Sequence, residues 1–80
     1  MTYVIYGREN CNWCVRAKNF LEQREEEYRY IDINDDPRTK AFIVSKGFKT
    51  VPQIFEDTKH IGGYKELVGH FGEGNYGDNA

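Results

Sequence analysis

The chain has 80 residues, of which 39% are hydrophobic, 15% aromatic and 30% charged. This length fits one domain with a small core, and the aromatic content argues against disorder. Eleven basic and 13 acidic residues leave a net charge of −2, so no basic excess indicates nucleic acid as a partner. No apolar run approaches the ~20 residues of a membrane helix, and the N-terminus lacks the apolar core of a secretion signal. We therefore expect a cytoplasmic protein and, because no apolar stripe is left over, a monomer.

The first half of the chain predicts a strand, a helix and a second strand. Residues 2–6 are rich in β-branched and aromatic side chains and are followed by Gly7, as is typical of a strand. Residues 28–33 have the same character. Between them, from residue 12 to about residue 24, a helical spacing of i, i+3, i+7 joins Cys14, Ala17 and Leu21. This order favours a βαβ unit with parallel strands.

The second half predicts a helix, a hairpin and a last short helix. Residues 34–36 offer side-chain caps, and Pro37 follows at the first helical position. The short apolar runs 53–55 and 60–62 surround a polar turn, which indicates two antiparallel strands. A short helix should then cover residues 64 to about 70. The predicted fold class is therefore α/β, with the element order β-α-β-α-β-β-α and helices packed against a mixed sheet.

The end of the chain has a different composition. Glycine is too frequent there to hold a helix. We expect one domain over residues 1–71 and a flexible glycine-rich tail over residues 72–80.

Both cysteines of the chain, Cys11 and Cys14, lie in one CxxC motif, which allows three interpretations. A structural disulfide here would close a very short loop and gain less than the ~3 kcal/mol of a 15-residue loop. A structural zinc site usually needs four protein ligands, and the spacing of His60 and His70 is wider than usual for such sites. No metal site is therefore predicted, and the motif favours a redox-active pair, as CxxC often forms in the cytoplasm.

The two cysteines should have different roles. Cys11 lies where the predicted helix begins, so free backbone N–H groups and the helix dipole favour its thiolate. Arg8 adds a nearby positive charge. Cysteines in such settings have pKa values of roughly 3.5–7.5, against about 8.5 for a free thiol. We expect Cys11 to be the exposed nucleophile and Cys14, one turn into the helix, to be the sheltered resolving thiol.

Three segments together resemble one known family. The Cys11–Cys14 motif follows a strand, Thr50-Val51-Pro52 precedes the third strand, and residues 60–64 read His-Ile-Gly-Gly-Tyr. In this order and spacing they resemble the dithiol glutaredoxins of the thioredoxin superfamily, from residue 2 to about residue 70. The resemblance implies a thioredoxin-like fold with a four-stranded mixed sheet flanked by helices. It also implies a glutathione-dependent thiol–disulfide oxidoreductase that reduces protein disulfides and glutathione mixed disulfides.

The resemblance further implies a glutathione site. It makes the Val51–Pro52 bond cis and places it across from Cys11, although proline alone does not predict this, since only ~5–6% of X–Pro bonds are cis. The Val51 backbone would pair with the cysteinyl part of glutathione, and the helix start near Tyr64 would receive the γ-glutamyl carboxylate. Arg8 would face the glycyl carboxylate. The full implied set is Arg8, Trp13, Thr50, Val51, Pro52, Gly63, Tyr64, Lys65 and Glu66.

Two positions depart from the family pattern, and two other functions stay open. Asn12 stands where the family often has proline or glycine, and Lys65-Glu66 where a Thr-Asp pair is common. Glutathione is expected as co-substrate, with no permanently bound cofactor and with disulfide-containing proteins as partners. One alternative is a redoxin that donates electrons to ribonucleotide reductase and is recharged by thioredoxin reductase. The other is a carrier of a glutathione-ligated iron–sulfur cluster.

Overall fold

The computed structural model describes residues 2–72, and its seven elements follow the predicted order. The predicted tail over residues 72–80 lies, except for Gly72, outside the described residues. None of the helices within residues 2–72 has the length and apolarity needed to span a bilayer. The elements are β1 (Tyr3–Gly7), α1 (Asn12–Gln23), β2 (Tyr28–Asp32), α2 (Pro37–Ser45), β3 (Gln53–Glu56), β4 (Lys59–Gly62) and α3 (Tyr64–His70).

The four strands form one mixed sheet in the order β2-β1-β3-β4. β1 and β2 are parallel and are joined by α1, which confirms the βαβ unit. β3 runs antiparallel to β1, with Ile5 opposite Ile54, and β4 is antiparallel to β3. The predicted four-stranded thioredoxin-like sheet is therefore confirmed.

The main core lies on the face of the sheet that α1 and α3 cover. The predicted stripe of α1 is fully buried, and Leu21 has no exposed surface. Full burial of a leucine side chain contributes roughly 1.5–3 kcal/mol. The core cluster joins these helices to β1 and β3 through Tyr3, Ile5, Ala17, Phe20, Leu21, Ile54 and Leu67.

The opposite face of the sheet carries aromatic side chains that contact α2. Tyr6 and Phe55 alternate with the core residues of their strands, so they point away from α1. Phe42 of α2 meets both rings, at centroid distances of 5.8 and 6.3 Å. The predicted cap of α2 is present, because Asp36 Oδ1 accepts the Arg38 N–H at 2.9 Å and Pro37 is the first helical residue.

The topology brings three chain segments to one end of the sheet. β1 ends there and leads into α1. Because β3 is antiparallel to β1, its first residue, Gln53, pairs with Tyr6 at that same end. β4 reverses once more, so Gly62 returns beside Ile54. The segments 8–12, 50–52 and 62–66 therefore meet around the start of α1.

Candidate active site

Cys11 is the N-cap residue of α1. Its backbone is extended, and its Sγ accepts the backbone N–H of Cys14 at 3.2 Å. The two sulfurs form a disulfide, so the pair is in its oxidised form. In the reduced form this N–H and the positive end of the helix dipole would both stabilise a thiolate on Cys11.

Cys11 is more accessible to solvent than Cys14, as predicted, but the difference between them is small. Cys14 has no exposed surface, which agrees with a sheltered resolving thiol. Cys11 is only 7% exposed, so the expectation of an exposed sulfur is wrong for the oxidised form. The reason is local: the sulfur is turned onto the first turn of α1 and faces the 50–52 loop. Cys11 itself lines a shallow depression together with Arg8 and Asn10.

The Val51–Pro52 peptide bond is cis, which confirms the expectation drawn from the resemblance. The Val51 carbonyl oxygen lies 4.0 Å from Cys11 Sγ. Pro52 is buried. The loop backbone therefore forms the wall that faces the sulfur.

Eight of the nine implied glutathione-binding residues line one groove of about 290 Å³ beside this loop. The groove is open on one side and close to the lower end of the ~300–1,000 Å³ range of small-molecule sites. Trp13, which is 53% exposed, forms one wall and packs on the Tyr64 ring at a centroid distance of 5.5 Å. The lining residues are Trp13, Thr50, Val51, Pro52, Gly63, Tyr64, Lys65 and Glu66.

Glu66 has a role in this groove that the sequence did not indicate. Its Oε1 accepts the Gly63 N–H at 2.8 Å and so caps α3. A capping-box glutamate three residues after the N-cap is a recognisable signal. It was missed because that pattern has serine or threonine at the N-cap, and this helix has Gly63 there. One carboxylate oxygen is thus committed to the fold.

Arg8 is the implied residue that does not line this groove. Its guanidinium donates to the carbonyl oxygens of Glu9 and Asn10, at 3.1 and 3.5 Å. Arg8 instead lines two other depressions. One of them, of about 300 Å³, shares Thr50 and Val51 with the groove and has an apolar floor and the further cations Lys40 and Lys49.

Gly7 and Tyr30 support the buried cysteine and were not singled out from the sequence. A Cβ at Gly7 would lie 2.9 Å from Cys14 Sγ and would overlap the Tyr30 hydroxyl. That hydroxyl donates to the Arg8 carbonyl oxygen at 2.9 Å. A tyrosine hydroxyl is protonated at neutral pH in any case, and burial, with the Asp32 carboxylate second, raises the pKa of Tyr30 further above its ordinary value.

The two histidines considered as metal ligands have other contacts. His60 Nε2 lies 2.7 Å from Gln53 Oε1, and His70 Nε2 lies 3.5 Å from Glu56 Oε2. Within residues 2–72, no group of three or more His, Cys, Asp or Glu side chains is arranged to hold a metal ion.

A CxxC disulfide at the start of a helix, facing a cis-proline loop in a thioredoxin-like fold, defines a thiol–disulfide oxidoreductase. The glutaredoxin family model matches residues 3–61. Glutaredoxin 1 of Salmonella typhimurium is 51% identical in an alignment 71 residues long, and the match covers 79% of this chain and 82% of that relative. The chain therefore belongs to the glutaredoxin family.

Two solved structures show the same architecture. A buckwheat glutaredoxin–glutathione complex superposes with a TM-score of 0.75 at 26% identity, covering 90% of this chain and 69% of that one. The glutaredoxin-like NrdH-redoxin of Escherichia coli superposes with a TM-score of 0.78, covering 88% and 93% of the two chains. Its identity is 21%, so this second likeness shows the fold alone.

Proposed function

We propose that this thiol–disulfide oxidoreductase uses glutathione as its reductant and takes glutathione mixed disulfides as substrates. The observation that carries the proposal is the groove at the loop that faces Cys11, which brings together eight residues from three separate segments. Glutaredoxins as a family use glutathione, and the buckwheat relative was solved in complex with it. The Val51 backbone, which lines the groove, would pair with the extended tripeptide.

The first half-reaction begins at Cys11. Its thiolate attacks the glutathione sulfur of a mixed disulfide, a new S–S bond forms, and the other thiol leaves with the electron pair of the broken bond. With a protein disulfide as substrate, the Cys11 thiolate attacks one of its sulfurs, the other protein sulfur leaves as a thiolate, and Cys11 is left in a mixed disulfide with the protein. The Cys14 thiolate then attacks Cys11 Sγ and releases the bound protein sulfur as a thiolate. That second step produces the Cys11–Cys14 disulfide seen in the structure.

Two molecules of glutathione return the oxidised cysteine pair to two free thiols. One glutathione thiolate attacks Cys11 of the disulfide and frees Cys14. A second attacks the glutathione sulfur on Cys11, so oxidised glutathione forms and Cys11 leaves as a thiolate. The Cys14 N–H at 3.2 Å stabilises this leaving group, and a stabilised thiolate leaves faster.

The charged ends of glutathione would meet opposite charges at the two ends of the groove. The basic depression of Arg8, Lys40 and Lys49 adjoins the groove at Val51 and suits the glycyl carboxylate. Glu66 is available to the ligand ammonium through its second oxygen.

We place the protein in the cytoplasm as a monomer, with no permanently bound cofactor, acting on disulfide-bearing proteins such as ribonucleotide reductase.

The test is a turnover assay of the whole chain with a glutathionylated peptide, glutathione, glutathione reductase and NADPH. We expect turnover without thioredoxin reductase. Cys14→Ser should keep this activity, because glutathione alone resolves the adduct, whereas Cys11→Ser should lower it by at least ~10³-fold, as loss of a nucleophile does. Turnover that requires thioredoxin reductase would instead favour the redoxin alternative, and an essential Cys14 would reverse the roles of the two cysteines.

A further inference from the structure

Gln53 is the only buried residue within residues 2–72 whose side chain ends in an amide or a charged group, and 7% of its surface is exposed. It directly follows Pro52 and is the first residue of β3. A buried amide costs free energy unless its donors and acceptor are paired. Its partners therefore show what this residue holds in place.

The Gln53 amide bonds in two directions. Nε2 donates to the Thr50 carbonyl oxygen at 2.9 Å and lies 3.3 Å from Thr50 Oγ1. Oε1 lies 2.7 Å from His60 Nε2. The Thr50 carbonyl fixes this orientation, because a flipped amide would set two acceptor oxygens against each other. Since Oε1 can only accept, His60 Nε2 carries a proton and donates it.

His60 is held in turn by the rings around it. It lies on β4 opposite Phe55, with a centroid distance of 5.0 Å. On its other side it stacks on Phe48 at 4.4 Å, with an interplanar angle of 21°. The stacking fixes the direction in which the imidazole presents its N–H to Gln53.

The far end of this chain of contacts reaches the reacting sulfur. Thr50 belongs to the loop 46–52 between α2 and β3, so no helix or sheet ladder holds its carbonyl. The next residue, Val51, has its carbonyl oxygen 4.0 Å from Cys11 Sγ. A shift at Thr50 therefore changes the spacing between the groove wall and the sulfur, and a misplacement of about 1 Å can cost on the order of 10²-fold in rate.

We propose that Gln53 and His60 are positioning residues for disulfide exchange. The bonds His60–Gln53–Thr50 hold Val51 at the spacing from Cys11 that aligns a glutathione-bearing disulfide for attack. Neither side chain lines the groove, so both act through the loop. This proposal rests on the proposed function, because the loop matters only for a substrate that occupies the groove.

Three variants of the full chain test the Gln53–Thr50 and Gln53–His60 hydrogen bonds separately. Gln53→Met keeps the length of the side chain and removes both bonds. Gln53→Glu keeps an acceptor for His60 but loses the donor to Thr50. His60→Phe keeps the ring stack and loses the N–H donor.

The measurement compares two disulfides reacting with each reduced protein by stopped flow. One is a glutathionylated peptide, and the other is hydroxyethyl disulfide, which lacks the tripeptide. We expect the Gln53 variants to react about tenfold more slowly with the peptide and within about twofold of wild type with hydroxyethyl disulfide. His60→Phe should lose about two- to fourfold on the peptide, because Gln53 still reaches Thr50 directly.

Tyr3→Phe is the matched control. It removes another hydrogen bond of a buried residue, the one to Glu56, at the opposite end of the sheet. Its melting temperature should fall, as that of Gln53→Met should, while both rate constants stay at the wild-type values.

Three results would overturn the proposal. If the Gln53 variants melt earlier but keep the wild-type preference for the glutathionylated peptide, Gln53 only stabilises the fold. An equal loss on both disulfides would place the effect at the cysteine pair rather than at the loop. Failure of the glutathione assignment looks different, because the wild-type chain itself would then show no preference for the peptide, and the positioning role would fall with it.

Discussion

At residue scale, Gly7 shows how one missing side chain makes room for the buried thiol. A Cβ there would press on Cys14 Sγ at 2.9 Å and would overlap the Tyr30 hydroxyl. Tyr30 cannot withdraw without losing its bond to the Arg8 carbonyl. We expect Gly7→Ala to lower the free energy of unfolding by about 1–3 kcal/mol, as overpacking in a core does, measured by urea unfolding of the oxidised chain.

Gly69 provides the control for this prediction. It lies within α3, and a Cβ there would meet no atom within 4 Å. Gly69→Ala should leave the stability unchanged or raise it by up to ~1 kcal/mol through helix propensity. If the two alanine variants unfold at the same urea concentration, a Cβ at Gly7 does not overpack the space around Cys14.

At the scale of elements, the start of α3 combines a cap with a wall of the groove, because Glu66 accepts the Gly63 N–H. Glu66→Gln keeps an acceptor in the same place, whereas Glu66→Ala removes it. We expect the alanine variant to lose about 0.5–1.5 kcal/mol of stability and the glutamine variant to unfold like the wild type. Urea unfolding of both variants checks this difference.

Kinetics of the same pair separate the cap from contact with the ligand. If Glu66 meets the glutathione ammonium, both variants should raise the KM for a glutathionylated peptide by about tenfold or more, since a hydrogen bond to a charged group contributes ~1.5–3 kcal/mol. A rise confined to Glu66→Ala would show that the carboxylate serves the helix and not the ligand.

The elements themselves were largely predictable, because their signals are local. The stripe of Cys14, Ala17 and Leu21 marked the buried face of α1. The acidic cap and Pro37 marked the start of α2. Each observed boundary falls within about a residue of the predicted one, since periodicity and capping act over a single turn.

The arrangement of side chains between elements was less predictable. Asn10 has a positive φ of 58°, and this turn of the β1–α1 loop lets Arg8 fold back on its own backbone and away from the groove. The partnership of Gln53 with His60 depends on the register of β3 and β4. Such contacts depend on three-dimensional placement, which a hydrophobic pattern does not encode.

At the scale of the whole molecule, the two ends of the sheet have separate tasks. The cysteines, the cis-proline loop and the groove lie at one end. At the other end Tyr3 donates to Glu56 at 3.1 Å, and His70 of α3 approaches the same carboxylate at 3.5 Å. Changes at this far end should therefore alter the stability of the fold and leave the redox chemistry alone.

This far end makes the stability of the fold sensitive to alkaline pH. Burial, followed by the hydrogen bond to Glu56, raises the pKa of Tyr3 from its ordinary value of 10.0 to about 12. Below pH 10 the tyrosine is protonated in both states and its contribution is complete. Between pH 10 and 12 only the unfolded chain loses the proton, so the free energy of unfolding falls as the pH rises, by about 2–3 kcal/mol in all. Tyr28, whose pKa the bond to Glu22 and burial also raise to about 12, adds a smaller loss because its side chain is half-exposed.

Urea unfolding of the wild type and of Tyr3→Phe, from pH 8 to pH 11.5, tests this alkaline loss. At pH 8 the variant should be less stable by about 1 kcal/mol, because it lacks one hydrogen bond. Its curve should fall less steeply above pH 10, since it has no proton to lose at this position. The two curves should therefore cross near pH 11, where the loss from Tyr3 reaches about 1 kcal/mol, and the variant should be the more stable of the two at pH 11.5. Parallel curves across the whole range would mean that Tyr3 does not carry the alkaline transition and that the loss arises at other tyrosines.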